Sequence, residues 1–124
     1  MDNLFQNIFN RKEDNNSGIS RILLTDKDQL DELLKASHFK PVLLFKHSTS
    51  CSISAMVIKW FENKLESKKG EYHYFFLDLI RYRNISNNIA IKFNIPHQSP
   101  QLILIENGKV VNHASHYGIL QIKL

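Results

Sequence analysis

Three strand-length apolar runs, Val42 to Phe45, Tyr74 to Leu77 and Leu102 to Ile105, are separated by stretches of helical periodicity. No other feature restricts the fold as strongly. Residues apolar at successive positions are buried on both faces of a sheet, which requires helices on either side. Arg21 to Leu24 predicts a first short strand. Thr25, with Asp28 three residues later, resembles a helix cap, and Leu30, Leu33 and Leu34 supply the buried stripe of that helix. Lys40-Pro41 breaks the chain before a strand at Val42 to Lys46. A loop, His47 to Ser50, leads into a helix from about Cys51 to Ser67. On that helix Ile53, Met56, Val57, Trp60, Phe61 and Leu65 share one face, with Trp60 and Phe61 read as core. Tyr72 to Leu79 is a third strand, and Ser86 can cap a third helix facing inward through Ile89, Ala90 and Phe93. Pro96 and Pro100 bracket a loop before strand Gln101 to Ile105. Asn107-Gly108 then signals a hairpin into Lys109 to His116. The order is βαβαβα followed by an antiparallel hairpin. Crossovers of this length require the first three strands to be parallel, so residues 21–124 read as one α/β domain.

Residues 1–20 read as a tail. Leu4, Phe5, Ile8 and Phe9 recur at helical spacing, and Arg11 to Ser20 is a polar tether. No apolar h-region follows the basic residues here, so it does not read as a secretory signal, and no apolar run reaches the roughly 18 residues of a membrane span. The expected location is the cytoplasm. The net charge of +4 is spread along the chain without forming a basic stripe. That argues against nucleic acid and suits a small anionic ligand or an acidic partner surface.

The single cysteine, Cys51, excludes an internal disulfide and any all-cysteine metal site. In an open α/β sheet, ligands bind beyond the carboxyl ends of the parallel strands. Three loops meet that rule: His47 to Ser50, Ile80 to Ile85, and the loop entering Pro100. Cys51 lies in the first, at a helix start. The thiolate, not the thiol, attacks disulfides, and a helix N-terminus favours an anion by roughly 0.3–1 kcal/mol. Lys46 or a protonated His47 can add to this, and Ser54 sits one helical turn on, within reach of the sulfur. The competing readings are an inert small hydrophobe, a metal ligand and a peroxide-reducing thiol. His47 and Cys51 are four residues apart but start in a loop and offer only two ligands, and no ligand pattern joins His97, His113 and His116 to them, so no metal is expected. Peroxide chemistry finds Ser48 in place, but the proline that normally opens such a loop is Leu44 here.

Four separated motifs, Phe45-Lys46-His47-Ser48-Thr49-Ser50-Cys51-Ser52-Ile53-Ser54, Arg83-Asn84-Ile85-Ser86-Asn87, His97-Gln98-Ser99-Pro100-Gln101 and His113-Ala114-Ser115-His116, resemble the monothiol bacilliredoxin family. The similarity spans roughly Ile22 to Tyr117. It implies a thioredoxin-like fold, with Cys51 as the active thiol and Ser54 where dithiol relatives carry a resolving cysteine. It further implies a cis Ser99-Pro100 bond facing Cys51. The activity implied is removal of a small thiol, bacillithiol, from mixed disulfides on protein cysteines. Bacillithiol is then a co-substrate, no cofactor is bound, and the partners are S-thiolated proteins. Lys46, His47, Ser50, Ser52, Arg83, His97, Ser99 and Pro100 are the expected substrate-binding residues. Arg81 and Arg83 are candidates for pairing with carboxylates of the small thiol. His113 and His116 read as structural. The different-class alternative is a non-catalytic thioredoxin-like module that binds partners or senses oxidation. One departure stands out. Such folds close with a C-terminal helix, and Gly118 to Leu124 is too short for a full one. The exposed sheet face then needs another cover, from Leu4, Phe5, Ile8 and Phe9 or from a second copy in a homodimer.

Overall fold

The computed structural model describes residues 12–14 and 18–124, so the apolar positions Leu4, Phe5, Ile8 and Phe9 lie outside the described residues. The strands are β1 (Lys12–Asp14), β2 (Ser20–Leu23), β3 (Val42–His47), β4 (His73–Asp78), β5 (Gln101–Glu106) and β6 (Lys109–Ser115). The helices are α1 (Gln29–Ala36), α2 (Ser52–Glu66) and α3 (Arg83–Phe93), and a 3-10 helix covers His116–Gln121. One sheet runs in the order β1-β2-β4-β3-β5-β6. β2 and β3 pair parallel with β4, and β5 pairs antiparallel with β3. The expected parallel centre and returning hairpin are both present. Strand β1 falls in the segment read as a tether. It pairs antiparallel with β2 through Lys12↔Ile22 and Asp14↔Ser20. Strand pairing is made by the backbone, so a polar edge strand needs no apolar alternation that a sequence would show.

The two-residue side-chain period of the strands divides the core between the faces of the sheet. Val42 and Leu44 of β3 join Phe75, Leu77, Ile103 and Ile105 beneath α1 and α3, which contribute Leu30, Leu33, Ile85 and Ile89. Leu43 and Phe45 point the other way, with Tyr74, Phe76, Leu102 and Leu104, beneath Val57, Phe61 and Leu65 of α2. The 3-10 segment and the residue after it cover part of this second face, with Ile119 and Ile122 buried. Lys64 Nζ pins it by donating to the carbonyls of Leu120 (3.0 Å) and Ile122 (2.8 Å).

Two sequence expectations are corrected. Thr25 does not cap α1, which begins after Asp28. Instead the buried side chain of Gln29 folds back, its Oε1 accepting from the backbone N–H of Thr25 (2.7 Å) and Asp26 (2.9 Å). Trp60 is not core but 48% exposed, and Met56 is 42% exposed. Helix α2 meets the sheet through Val57, Phe61 and Leu65, four residues apart. Met56 and Trp60 each precede one of these by a single residue, which turns them about 100° away from the contact. The hairpin behaves as expected: Asn107 (φ 52°) and Gly108 (φ 78°) both take positive φ, as a two-residue turn demands.

Candidate functional site

The site is assembled at the edge where β3 and β4 end and β5 begins. The register Lys46↔Gln101 brings the entrance of β5 alongside the end of β3. Pro100, one residue before that pair, is thereby set level with His47, and its carbonyl accepts from the His116 N–H at 3.0 Å. The Ser99-Pro100 peptide is cis, in agreement with the resemblance. On the other side of β3, the turn Ser48 to Ser50 delivers the chain to α2.

Cys51 occupies the N-cap of α2 in an extended conformation (φ −109°, ψ 119°) and is half-buried. Its N–H donates to the Ser48 carbonyl (3.2 Å), and its own carbonyl accepts the first helical bond, from Ala55 (3.1 Å). The helix carries no acidic residue in its first turn. Cys51 makes no side-chain capping hydrogen bond, and no carboxylate on that turn opposes an anion at the helix start.

Ser54 is fully buried one turn further on. Its Oγ accepts the Ser48 N–H (3.2 Å) and lies 2.7 Å from His47 Nδ1. Because the hydroxyl already accepts one bond, its proton is free to be donated to the imidazole. Its hydroxyl thus holds the turn that presents Cys51 and ties it to the end of β3. His47 also packs on Phe76 with ring centroids 5.5 Å apart. Burial, helped by the Arg21 charge, lowers its pKa below the ordinary histidine value. The expectation of a protonated His47 beside the thiolate is therefore corrected: at neutral pH the imidazole is neutral.

Lys46 also differs from its expected place. The alternation of β3 turns it away from α2 and toward α3, where Nζ donates to the Ser86 carbonyl at 3.4 Å. It is fully buried. Burial, with the Arg83 charge nearby, lowers its pKa to about 8. His97 stands over the same spot, Nδ1 3.4 Å from Ser86 Oγ. Its pKa is lowered by burial and by the charges of Lys46 and Arg83. Arg83 itself, at the start of α3, is exposed.

The structure thus divides the predicted residues into two groups. His47, Ser50 and Ser54 surround the turn of Cys51, with Ser50 Oγ 3.3 Å from Ser48 Oγ, and Ser52 opens α2. Lys46, Arg83 and His97 gather behind the Ser99-Pro100 turn. Two residues of this second group escaped sequence reading. Ser86 was taken for a helix cap, yet it is buried inside α3. Gln101 is buried at the start of β5, with Nε2 donating to the Pro96 carbonyl (3.1 Å). The available signal was a polar residue opening an otherwise wholly apolar run. His113 and His116 lie on and just after β6. Among the described residues, no three of His, Cys, Asp and Glu converge as metal ligands, and no helix is long and apolar enough to cross a membrane.

Comparison with known proteins agrees with this geometry. A solved structure described as a putative oxidoreductase with a thioredoxin fold superposes with a TM-score of 0.72 at 27% identity, covering 97% of this chain and 94% of that one. Thioredoxins from Trypanosoma brucei brucei (TM-score 0.63, 14% identity, 80% of each chain) and Fasciola hepatica (0.63, 15%, 80% and 89%) share the fold. The model of the family described as monothiol bacilliredoxin BrxC matches residues 22–124. With the thioredoxin fold in place and that match spanning the α/β unit, the chain belongs to the monothiol bacilliredoxin family, a family of thioredoxin-like oxidoreductases.

Proposed function

We infer that the protein removes a low-molecular-weight thiol, bacillithiol, from mixed disulfides on protein cysteines in the cytoplasm, with Cys51 as the nucleophile. One observation carries this reading: the chain's single cysteine caps α2 at the edge shared with the Ser99-Pro100 turn. The Cys51 thiolate attacks the small-thiol sulfur of the mixed disulfide. A new disulfide forms between Cys51 and the small thiol, and the protein sulfur leaves as a thiolate that takes up a proton. With no second cysteine in the chain, Cys51 is freed only when the thiolate of another molecule attacks the small-thiol sulfur; a second small thiol gives the symmetric small-thiol disulfide and the Cys51 thiolate. No bound cofactor takes part in these steps. Ser54 is a positioning residue here: its hydroxyl fixes the Ser48 N–H and His47, and so the turn that holds the sulfur. His47, Ser50, Ser52, Ser99 and Pro100 border the approach to it.

The test is intact mass of the reduced protein after incubation with a bacillithiolated test protein and, in parallel, a glutathionylated one. One bacillithiol on Cys51, with reduced test protein released and no adduct on Cys51→Ser, is the expected result. Equal transfer from both substrates makes the protein an unselective thioltransferase. Transfer from neither refutes the catalytic reading in favour of a binding or sensing module.

A further inference from the structure

Most buried charges in this fold are compensated. Arg21 grips Glu62 through two hydrogen bonds of 2.7 and 2.9 Å, and Glu32 pairs with Lys35 at 3.3 Å. Lys46 is the exception. It is fully buried, its hydrogen bond to the Ser86 carbonyl is long at 3.4 Å, and among the described residues no carboxylate lies within ion-pairing distance. The charged groups that act on it and on His97 are themselves cations: Arg83 on Lys46, and both Lys46 and Arg83 on His97. Lysine is rarely fully buried without a partner, because desolvating an ammonium is costly. The neighbouring helix start supplies no carboxylate either. Helix α3 begins here with no acidic residue in its first turn. Gln101, facing Lys46 across the β3–β5 register, keeps a buried Oε1 without a hydrogen-bond partner, and the Ser99 Oγ beside the cis bond is likewise buried and unpartnered. Strand β3 and helix α3 thus bring two positive charges, Lys46 and Arg83, to the spot where His97 stands, at the sheet edge that also holds Cys51 and the Ser99-Pro100 turn, and among the described residues no carboxylate meets them.

We propose that Arg83 and His97, above the buried Lys46 ammonium, form an anion subsite beside the Ser99-Pro100 turn that receives a carboxylate of the small thiol exchanged on Cys51. Arg83 and His97 are exposed and touch the ligand, Arg83 with a planar fork suited to a carboxylate. Lys46 acts from beneath through its field, strengthened by the low polarity around it. The inference rests on the exchange chemistry of Cys51 proposed above and adds which end of the small thiol is recognised, and by what.

The experiment follows adduct formation on Cys51 by intact mass with three symmetric disulfides: 3,3′-dithiodipropionate (anionic), bis(2-hydroxyethyl) disulfide (neutral) and cystamine (cationic). The readout is the ratio of the anionic to the neutral rate, compared between proteins so that the intrinsic reactivity of each disulfide cancels. Lys46→Met and Arg83→Gln are each expected to lower that ratio about fivefold, the scale of one ionic contact. Each is also expected to raise the relative rate with cystamine. Lys123→Gln, in the C-terminal segment beside Lys64 and Ser67 at the far end of α2, is expected to leave the ratio unchanged. Equal ratios in the native protein and both site variants overturn the subsite while exchange itself stands. So does an equal fall in Lys123→Gln, which would assign the preference to the general field of a chain of net charge +4. If no disulfide modifies Cys51 in the native protein, the exchange reading fails and the subsite falls with it.

Discussion

Replacing Lys46 by methionine removes the most unfavourably placed charge in the described core and keeps nearly the same volume. The magnitude follows from the pKa. Burial and Arg83 lower it from the ordinary 10.5 to about 8, which at about 1.4 kcal/mol per unit is a penalty of about 3 kcal/mol for folding with the ammonium charged. The charge facing Lys46 is Arg83 on α3, of the same sign, while His97 on the following loop has its own pKa lowered and is neutral at pH 7, so no partner on these elements offsets the penalty. The sign is set by proton binding. Between pH 8 and 10.5 the unfolded chain holds a proton on this lysine that the folded chain has released, so native stability rises with pH across that window. Below pH 8 both states are protonated and the penalty is constant. Lys46→Met is therefore expected to be more stable than the native protein by about 3 kcal/mol at pH 7, an advantage that shrinks to nothing by about pH 10.5. Urea unfolding of the two proteins side by side measures it, because groups that do not sense Lys46 cancel in the difference, and His97, whose pKa Lys46 helps to lower, is neutral in both proteins across the window from pH 8 to 10.5. At a slope of about 1–3 kcal/mol per molar urea, the pH 7 midpoints should differ by about 1–3 M. A lower midpoint for Lys46→Met at pH 7, together with a difference that does not change up to pH 10, would refute the reasoning.

Ser54→Ala strips a fully buried hydroxyl from the His47 imidazole and the Ser48 N–H. A loss of about 1–3 kcal/mol in urea stability is expected, with slower adduct formation on Cys51 as the turn loosens. Glu62→Gln leaves Arg21 without its buried anion and should cost about 3 kcal/mol, whereas Tyr74→Phe, losing only the 2.8 Å bond to Glu62, should cost about 1 kcal/mol. A fall of less than 1 kcal/mol for Glu62→Gln would show that the pair is dispensable. His47, its pKa held down by burial, is neutral in the fold, so acidification below pH 6.5 protonates the unfolded chain first and lowers stability. His47→Gln should flatten that slope in thermal melts between pH 6.5 and 5, and an unchanged slope would assign it to other groups.

The linear order of this protein was legible because its central strands are short runs apolar at every position, whereas its helical segments bring Val57, Phe61 and Leu65, or Ile85 and Ile89, back at spacings of four. Val42 to Phe45 and Leu102 to Ile105 admit little else than a sheet buried on both faces. Cys51 at a helix start was equally plain, since the loop and the helical period meet there. What the sequence left undetermined were features that depend on which neighbour a side chain meets. Strand β1, Lys12–Asp14, has no apolar signature, and its pairing with β2 shows only in the sheet. Trp60 reads as core by type and spacing, yet the width of the contact between α2 and the sheet leaves it exposed. Lys46 was placed beside the sulfur by its nearness in the chain. The pleat of β3 sends it through to the opposite face, under Ser86 and His97, which lie 40 and 51 positions further along. Local periodicity is written residue by residue and can be read there. The charge environment of Lys46 and the commitment of Ser54 to His47 arise only when distant segments share one edge of the sheet, and tertiary packing alone decided them.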